Sequence, residues 1–189
     1  MPCVANPDEP LSSGFDALSM ARAGEAVGFD HLYRSGAGPI TAFARSRGAT
    51  DPEGACNETF LRAFRSLDTF EGDEDAFRRW TFSICRNLII DAHRHRARRP
   101  AEIQTDPPET QTPGAEEIAL LRLGDENVRR ILAPLTDEQR EVIVLRLVAD
   151  LSLADTAAIV GRPVSAVKRL QARALKRLQS RILSEEVSP

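Results

Sequence analysis

No stretch of this chain alternates apolar and polar residues in the way a half-buried strand requires. Rings are scarce too: aromatics make up 5% of the 189 residues, with a single tryptophan and a single tyrosine. With Ala, Leu and Arg abundant instead, helices are favoured over sheets. Cysteine is limited to Cys3, Cys56 and Cys85, an odd number with no CxxC pair. Reduced thiols in a cytoplasm fit that pattern better than a disulfide framework or a zinc site. No segment approaches the roughly 20 apolar residues of a membrane span, so no membrane insertion is expected. The opening "MPCVANPDEPLSSG" has acids and prolines but no apolar run, unlike a signal peptide. A hydrophobic content of 42% is enough for a core. The expectation is a soluble, cytoplasmic, all-α protein of one or two domains.

The formal charge of −3 conceals a segregation. Residues 1–30 hold five acids against Arg22 alone, and residues 101–117 hold five acids with no Lys or Arg. Between positions 78 and 99, seven arginines face one acid, Asp91; residues 162–181 hold seven cations and no acid. One basic block is commonly a solvated helix face. Two, separated by an acidic stretch, suggest two surfaces for a polyanion.

Residues 1–25 read as a loose acidic tail. "VGFDHLYRSGAGPITAFARSRG" has helical spacing, with a break expected at Gly36, Gly38 and Pro39. "GAGP" lacks the lysine and Ser/Thr of a phosphate loop. The next helix starts at Asp51 as N-cap with Pro52 in its first turn. Its buried stripe is expected to be Ala55, Thr59, Phe60, Ala63 and Phe64, leaving Asn57, Glu58, Leu61, Arg62 and Arg65 accessible. After an acidic loop, "DTFEGDED", a long helix spans about Ala76 to Arg98. The Pro-rich, acidic residues 100–117 read as a flexible linker. Beyond it, helices are expected from Ile118 to Ala133, from a Thr136–Gln139 capping box, from Ser152 (with Asp155) to Gly161, and from Pro163 to about Leu183.

The last two elements describe a helix-turn-helix, sharing a core of Leu153, Val160, Val164, Val167, Leu170 and Ala174. Ser165, Ala166, Lys168 and Arg169 would face base edges; Arg162, Arg173, Lys176 and Arg177 would meet phosphates. An ordinary αα-hairpin shares the geometry but leaves the seven cations unexplained. In the first half, Trp80 lies beside Arg78 and Arg79. It is either a ring for stacking on an unpaired base or a core tryptophan.

Two motifs carry a family resemblance. W-x3-I-x-R-N-x3-D-x2-R is matched by Trp80, Ile84, Arg86, Asn87, Asp91 and Arg94; L-[ST]-x-x-x-R-x-V-x-x-L-R is matched by Leu135, Thr136, Arg140, Val142, Leu145 and Arg146. Together with "ETFLRAF" and the linker between them, they resemble a bacterial RNA polymerase sigma factor of the extracytoplasmic-function (ECF) group. The likeness covers about residues 26–99 and 118–180.

This resemblance implies two small helical domains, 26–99 and 118–184, and a specificity subunit rather than an enzyme. Asn57, Glu58, Leu61 and Arg65 would dock on the β′ clamp helices of core RNA polymerase, which also contributes its β subunit. The loop and helix from about Asp68 to Arg99 would recognise and open the −10 element of promoter DNA, with a flipped base held by the loop. Arg79, Trp80, Arg86, Asn87, Arg94 and Arg96 are the candidates there. The helix-turn-helix residues Arg162, Ser165, Ala166, Lys168, Arg169 and Arg173 would read the −35 element. An anti-sigma factor is the expected inhibitor. The alternative is a stand-alone helix-turn-helix regulator that needs no polymerase.

Two departures from the family pattern stand out. Gly54, Ala55, Cys56 and Asn57 replace the usual D-L-V-Q, a change expected to weaken the docking helix by about 1 kcal/mol or less. Ala166 to Gln171 replace T-V-K-S-R-L, implying an unusual promoter. His93 and His95 have no third metal ligand nearby, and Cys85 reads as a small buried residue. No carboxylate pair or nucleophile–base arrangement suggests catalysis, and no cofactor or metal is expected.

Overall fold

The computed structural model describes residues 16–98 and 130–186, and every regular element among them is helical. In chain order these are α1 (Ala17–Arg22), α2 (Ala26–Ser46), α3 (Pro52–Arg65), a 3₁₀ turn (Leu67–Thr69), α4 (Glu74–Arg98), α5 (Asp137–Leu147), α6 (Leu153–Val160) and α7 (Val164–Glu186). The linker at 100–117 lies outside the described residues. So does the helix expected from Ile118, except for helical residues 130–132 before the turn at Pro134.

Within the expected tail, residues 17–22 form a packed helix. Asp16 caps α1 by accepting from the Ser19 N–H at 3.1 Å, and Ala17, Leu18 and Ala21 are buried. The helix lies so close to α2 that a Cβ on Gly28 would stand 2.4 Å from the Ala21 nitrogen. Only glycine permits that crossing.

The break expected in α2 does not occur: one helix runs through Gly36, Gly38 and Pro39. An interior proline costs about 3 kcal/mol. Beyond it, however, Ile40, Phe43 and Ala44 are completely buried, and Phe43 meets Phe82 of α4 edge to face at 5.6 Å. Each large buried side chain contributes about 1.5–3 kcal/mol, so continuing the helix outweighs the local penalty.

α3 begins as expected, with the Asp51 carboxylate accepting from the Gly54 N–H at 2.8 Å. Gly54 therefore sits in the capped first turn rather than mid-helix, where its entropic cost is smaller. The buried stripe is Cys56, Thr59, Phe60 and Ala63; Ala55 and Phe64 are only half-buried. The "DTFEGDED" loop is shorter than expected. Its start forms the 3₁₀ turn, while Glu74 and Asp75 supply acids to the first turn of α4.

In the second bundle, Thr136 and Gln139 form the reciprocal capping box. Ser152 caps α6, and Asp155 answers by accepting the Ser152 hydroxyl at 2.5 Å. Gly161 ends α6 in the left-handed region, φ 71° and ψ 38°. Val142, Ala157 and Val167 form the α5–α6–α7 core, with Leu153 and Leu170 at its edge. Val164 does not join it: at 40% exposure it lies on the surface, because it opens α7 before the helix turns onto its neighbours.

The two bundles do not stand apart. Val144, Leu145, Ala149, Leu151, Ile159 and Val160 share one continuous apolar core with residues of α1 to α4. α5 packs on α2, and α6 packs on α4.

Candidate nucleic-acid interface

α4 presents its cations in two directions. Near its C-terminus, Arg94, Arg96 and Arg98 are exposed, with only a loose 3.8 Å pair between Arg94 and Asp91 and a 3.4 Å bond from Arg96 Nε to the Ala92 carbonyl. Asn87 is exposed as well. Farther back, the helix faces the second bundle. Arg79 pairs with Asp155 at 3.3 Å. Arg86 donates through Nε to Glu141 at 2.8 Å and through Nη2 to the Val160 carbonyl at 3.4 Å. Glu141 is 3% exposed and has Arg47 at 3.7 Å on its other oxygen. In this conformation Arg79 and Arg86 are therefore committed to protein carboxylates, whereas Asn87, Arg94 and Arg96 are open to a ligand.

Trp80 lies at the edge of the core, as the reading of a core tryptophan expects in part. It is half-buried against the core, and Phe70 stacks on it at 4.8 Å with the planes 15° apart. Phe77 meets both rings edge-on, at 5.7 Å to Phe70 and 6.0 Å to Trp80. One face of the indole is thus occupied by a residue of the acidic loop.

In the helix-turn-helix, Ser165, Lys168, Arg169 and Arg173 are exposed on α7, and Ala166 is half-buried. Arg162 is engaged by Glu138 of α5. Arg177, expected at phosphates, instead donates to Gln139 Oε1 at 3.0 Å and to the Pro134 carbonyl at 3.3 Å, tying α7 to the start of α5. No ion-pair partner for Lys168, Arg169, Arg173 or Lys176 occurs among the described residues, which leaves four free cations along α7.

On α3, Asn57, Glu58, Leu61 and Arg65 project from one side. Leu61 is 44% exposed, a large apolar side chain in water. Glu58 pairs with Arg62 at 2.6 Å. Asn57 accepts from the Tyr33 hydroxyl at 2.9 Å, so Tyr33 of α2 extends this face. Sequence reasoning missed Tyr33, as it missed Arg47 and Glu141. Their roles depend on contacts between helices distant in the chain.

His93 lies 3.3 Å from the Arg47 carbonyl. Among the described residues, no three His, Cys, Asp or Glu side chains gather as a metal site would require. No described helix is long and apolar enough to cross a membrane. Burial pushes the Cys85 thiol up to about 12 and raises that of Cys56. Both are therefore poor nucleophiles at neutral pH.

Comparison with known proteins adds to this geometry. Residues 32–99 match the family Sigma-70 region 2, and residues 124–180 match Sigma-70, region 4. The chain is 32% identical over 174 residues to the ECF RNA polymerase sigma factor BldN of Streptomyces coelicolor, covering 89% of this chain and 65% of that protein. It is 32% identical over 161 residues to the RNA polymerase sigma factor CnrH of Cupriavidus metallidurans, covering 79% of this chain and 84% of that one. The solved structure of CnrH in complex with the cytosolic domain of CnrY superimposes with a TM-score of 0.63 at 29% identity, covering 91% of this chain and 97% of that one.

Proposed function

This chain belongs to the ECF group of the sigma-70 family, and from that footing we propose that it binds core RNA polymerase and directs promoter-specific initiation. Asn57, Glu58, Leu61 and Arg65 form the docking face for the β′ clamp helices, with exposed Leu61 as its apolar anchor. The acidic loop and α4 recognise and open the −10 element, using Asn87, Arg94 and Arg96 directly and Arg79 and Arg86 once the bundles separate. Trp80 acts with Phe70 as the wall against which an unpaired base is held. Ser165, Ala166, Lys168 and Arg169 read the −35 duplex, while Arg162 and Arg173 hold phosphates. Residues 26–99 and 118–184 serve as the two functional domains.

The observation that carries this reading is the presence of two cationic helical surfaces, α4 and α7, on separate bundles of one chain. A stand-alone regulator needs only the second. Base capture costs a few kcal/mol of unstacking, so the polymerase's own DNA contacts contribute to opening.

CnrH is seen held by the cytosolic domain of CnrY. By extension, an anti-sigma protein controls this chain, acting in the cytoplasm and without any cofactor. Run-off transcription with purified core polymerase on a promoter fragment library tests the whole reading. Transcripts that depend on this protein support it. Duplex binding without polymerase capture or initiation would favour the stand-alone regulator.

A further inference from the structure

α1 has no role in the reading above, although its single cation makes a specific contact. Arg22 ends α1 and is exposed, yet its Nη2 donates to the Phe70 carbonyl at 2.7 Å and lies 3.4 Å from the Gly72 carbonyl. The same guanidinium stands 5.8 Å from the centroid of the Phe70 ring. At the other end of α1, the Ala17 N–H donates to Glu74 Oε1 at 3.2 Å, at the start of α4. Both ends of the six-residue helix are thus fastened to the segment 70–74.

Its other holds are to near neighbours in the chain: the Phe70 N–H donates to the Leu67 carbonyl at 3.1 Å, and Asp73 caps α4, its carboxylate accepting from the Ala76 N–H at 2.8 Å. Phe70 is anchored by its ring, stacked on Trp80. Gly72 adopts φ 139°, and a Cβ there would lie 2.7 Å from the Ala76 Cβ and 3.2 Å from the Phe70 ring. The loop is therefore a tight bend folded under one aromatic side chain. Its carbonyls at 70 and 72 meet the same guanidinium nitrogen, Nη2, which carries two N–H donors.

We infer that Arg22 is a positioning residue for base capture, holding the 70–73 loop and the Phe70–Trp80 stack in the conformation that receives the unpaired base. This rests on the proposed −10 role of the loop. Arg22 touches no DNA in this account; it acts through Phe70. Fixing a loop before binding lowers the entropic cost of recognition, so its loss falls on discrimination at the captured base.

The test uses the full chain with core polymerase, comparing wild type, Arg22→Ala and Arg22→Lys on promoters that vary one −10 base at a time. Trp80 is the only tryptophan, so its emission reports on the stack directly. For Arg22→Ala the expected results are a shifted Trp80 emission and an about three- to tenfold loss of discrimination at one −10 base. Melting temperature and −35 duplex affinity should not change, because the buried residues of α1 remain. Arg22→Lys should recover part of both signals. Unaltered emission and discrimination in Arg22→Ala overturn the inference, and so does a loss that follows a drop in melting temperature. Failure of the underlying reading is separate: it shows in the wild type, as indifference to every −10 base.

Discussion

Arg86 of α4 and Glu141 of α5 meet Nε to Oε1 at 2.8 Å, although they belong to different bundles. Glu141 is buried and also faces Arg47. Removing one partner of a buried ion pair costs about 3–5 kcal/mol when the other stays buried. Here the two arginines can regain water if the bundles part. Glu141→Gln is therefore expected to open the molecule rather than unfold it. Small-angle scattering should give a larger radius of gyration while helical content is kept. Unchanged dimensions would mean that the apolar contact alone closes the chain.

Leu61 offers a cleaner test of polymerase docking, because it is exposed and belongs to none of the apolar cores. Leu61→Asp should weaken capture of core polymerase about tenfold or more, as for a central apolar anchor. Its thermal midpoint should stay near wild type, since exposed substitutions usually fall within about 0.5 kcal/mol. Equilibrium binding to labelled core enzyme, with calorimetry alongside, separates the two effects.

The cations of α7 divide by role. Arg173→Ala should weaken binding to all −35 duplexes alike and lower the salt slope by about one. Lys168→Ala or Arg169→Ala should instead relax preference at particular bases, by about 1–3 kcal/mol for a bidentate contact. Titrations of duplex variants at several salt concentrations distinguish these patterns.

The buried thiols predict a pH signature. Burial raises the Cys85 thiol to about 12 and also raises Cys56. Above the ordinary thiol value of 9.0, the unfolded chain loses protons that the folded chain keeps. The thiols' contribution to stability is thus fully present below pH 9 and falls as pH rises toward 12. Cys85→Ala should flatten that alkaline decline in denaturant titrations. Alkylation at pH 8 should leave Cys56 and Cys85 unlabelled until denaturant is added, as read by peptide mass spectrometry.

What could be read from the residues alone was mostly local chemistry. The Asp51 cap, the Thr136–Gln139 box and the Ser152 to Gly161 helix depend on groups a few positions apart, and all are present. Pro39 misled because its penalty is local while the burial of Ile40 and Phe43 is set by distant helices. α1 was missed because six residues offer only the stripe Ala17, Leu18 and Ala21, too short to show a period. The Arg86–Glu141 pair spans 55 positions, and neither motif gives any sign of it. Hence the cations of α4 could be located in the sequence, but not the fact that some are already spoken for.

That prior engagement alters how the free protein should respond to salt. A guanidinium leaving Glu141 for a phosphate trades one anion for another, so fewer bound ions are exchanged with solvent than a count of arginines suggests. Sodium chloride weakens the DNA contact and, less strongly, the internal one it replaces. The polypeptide alone should therefore show a shallower dependence on ionic strength than the same polypeptide already spread open on polymerase.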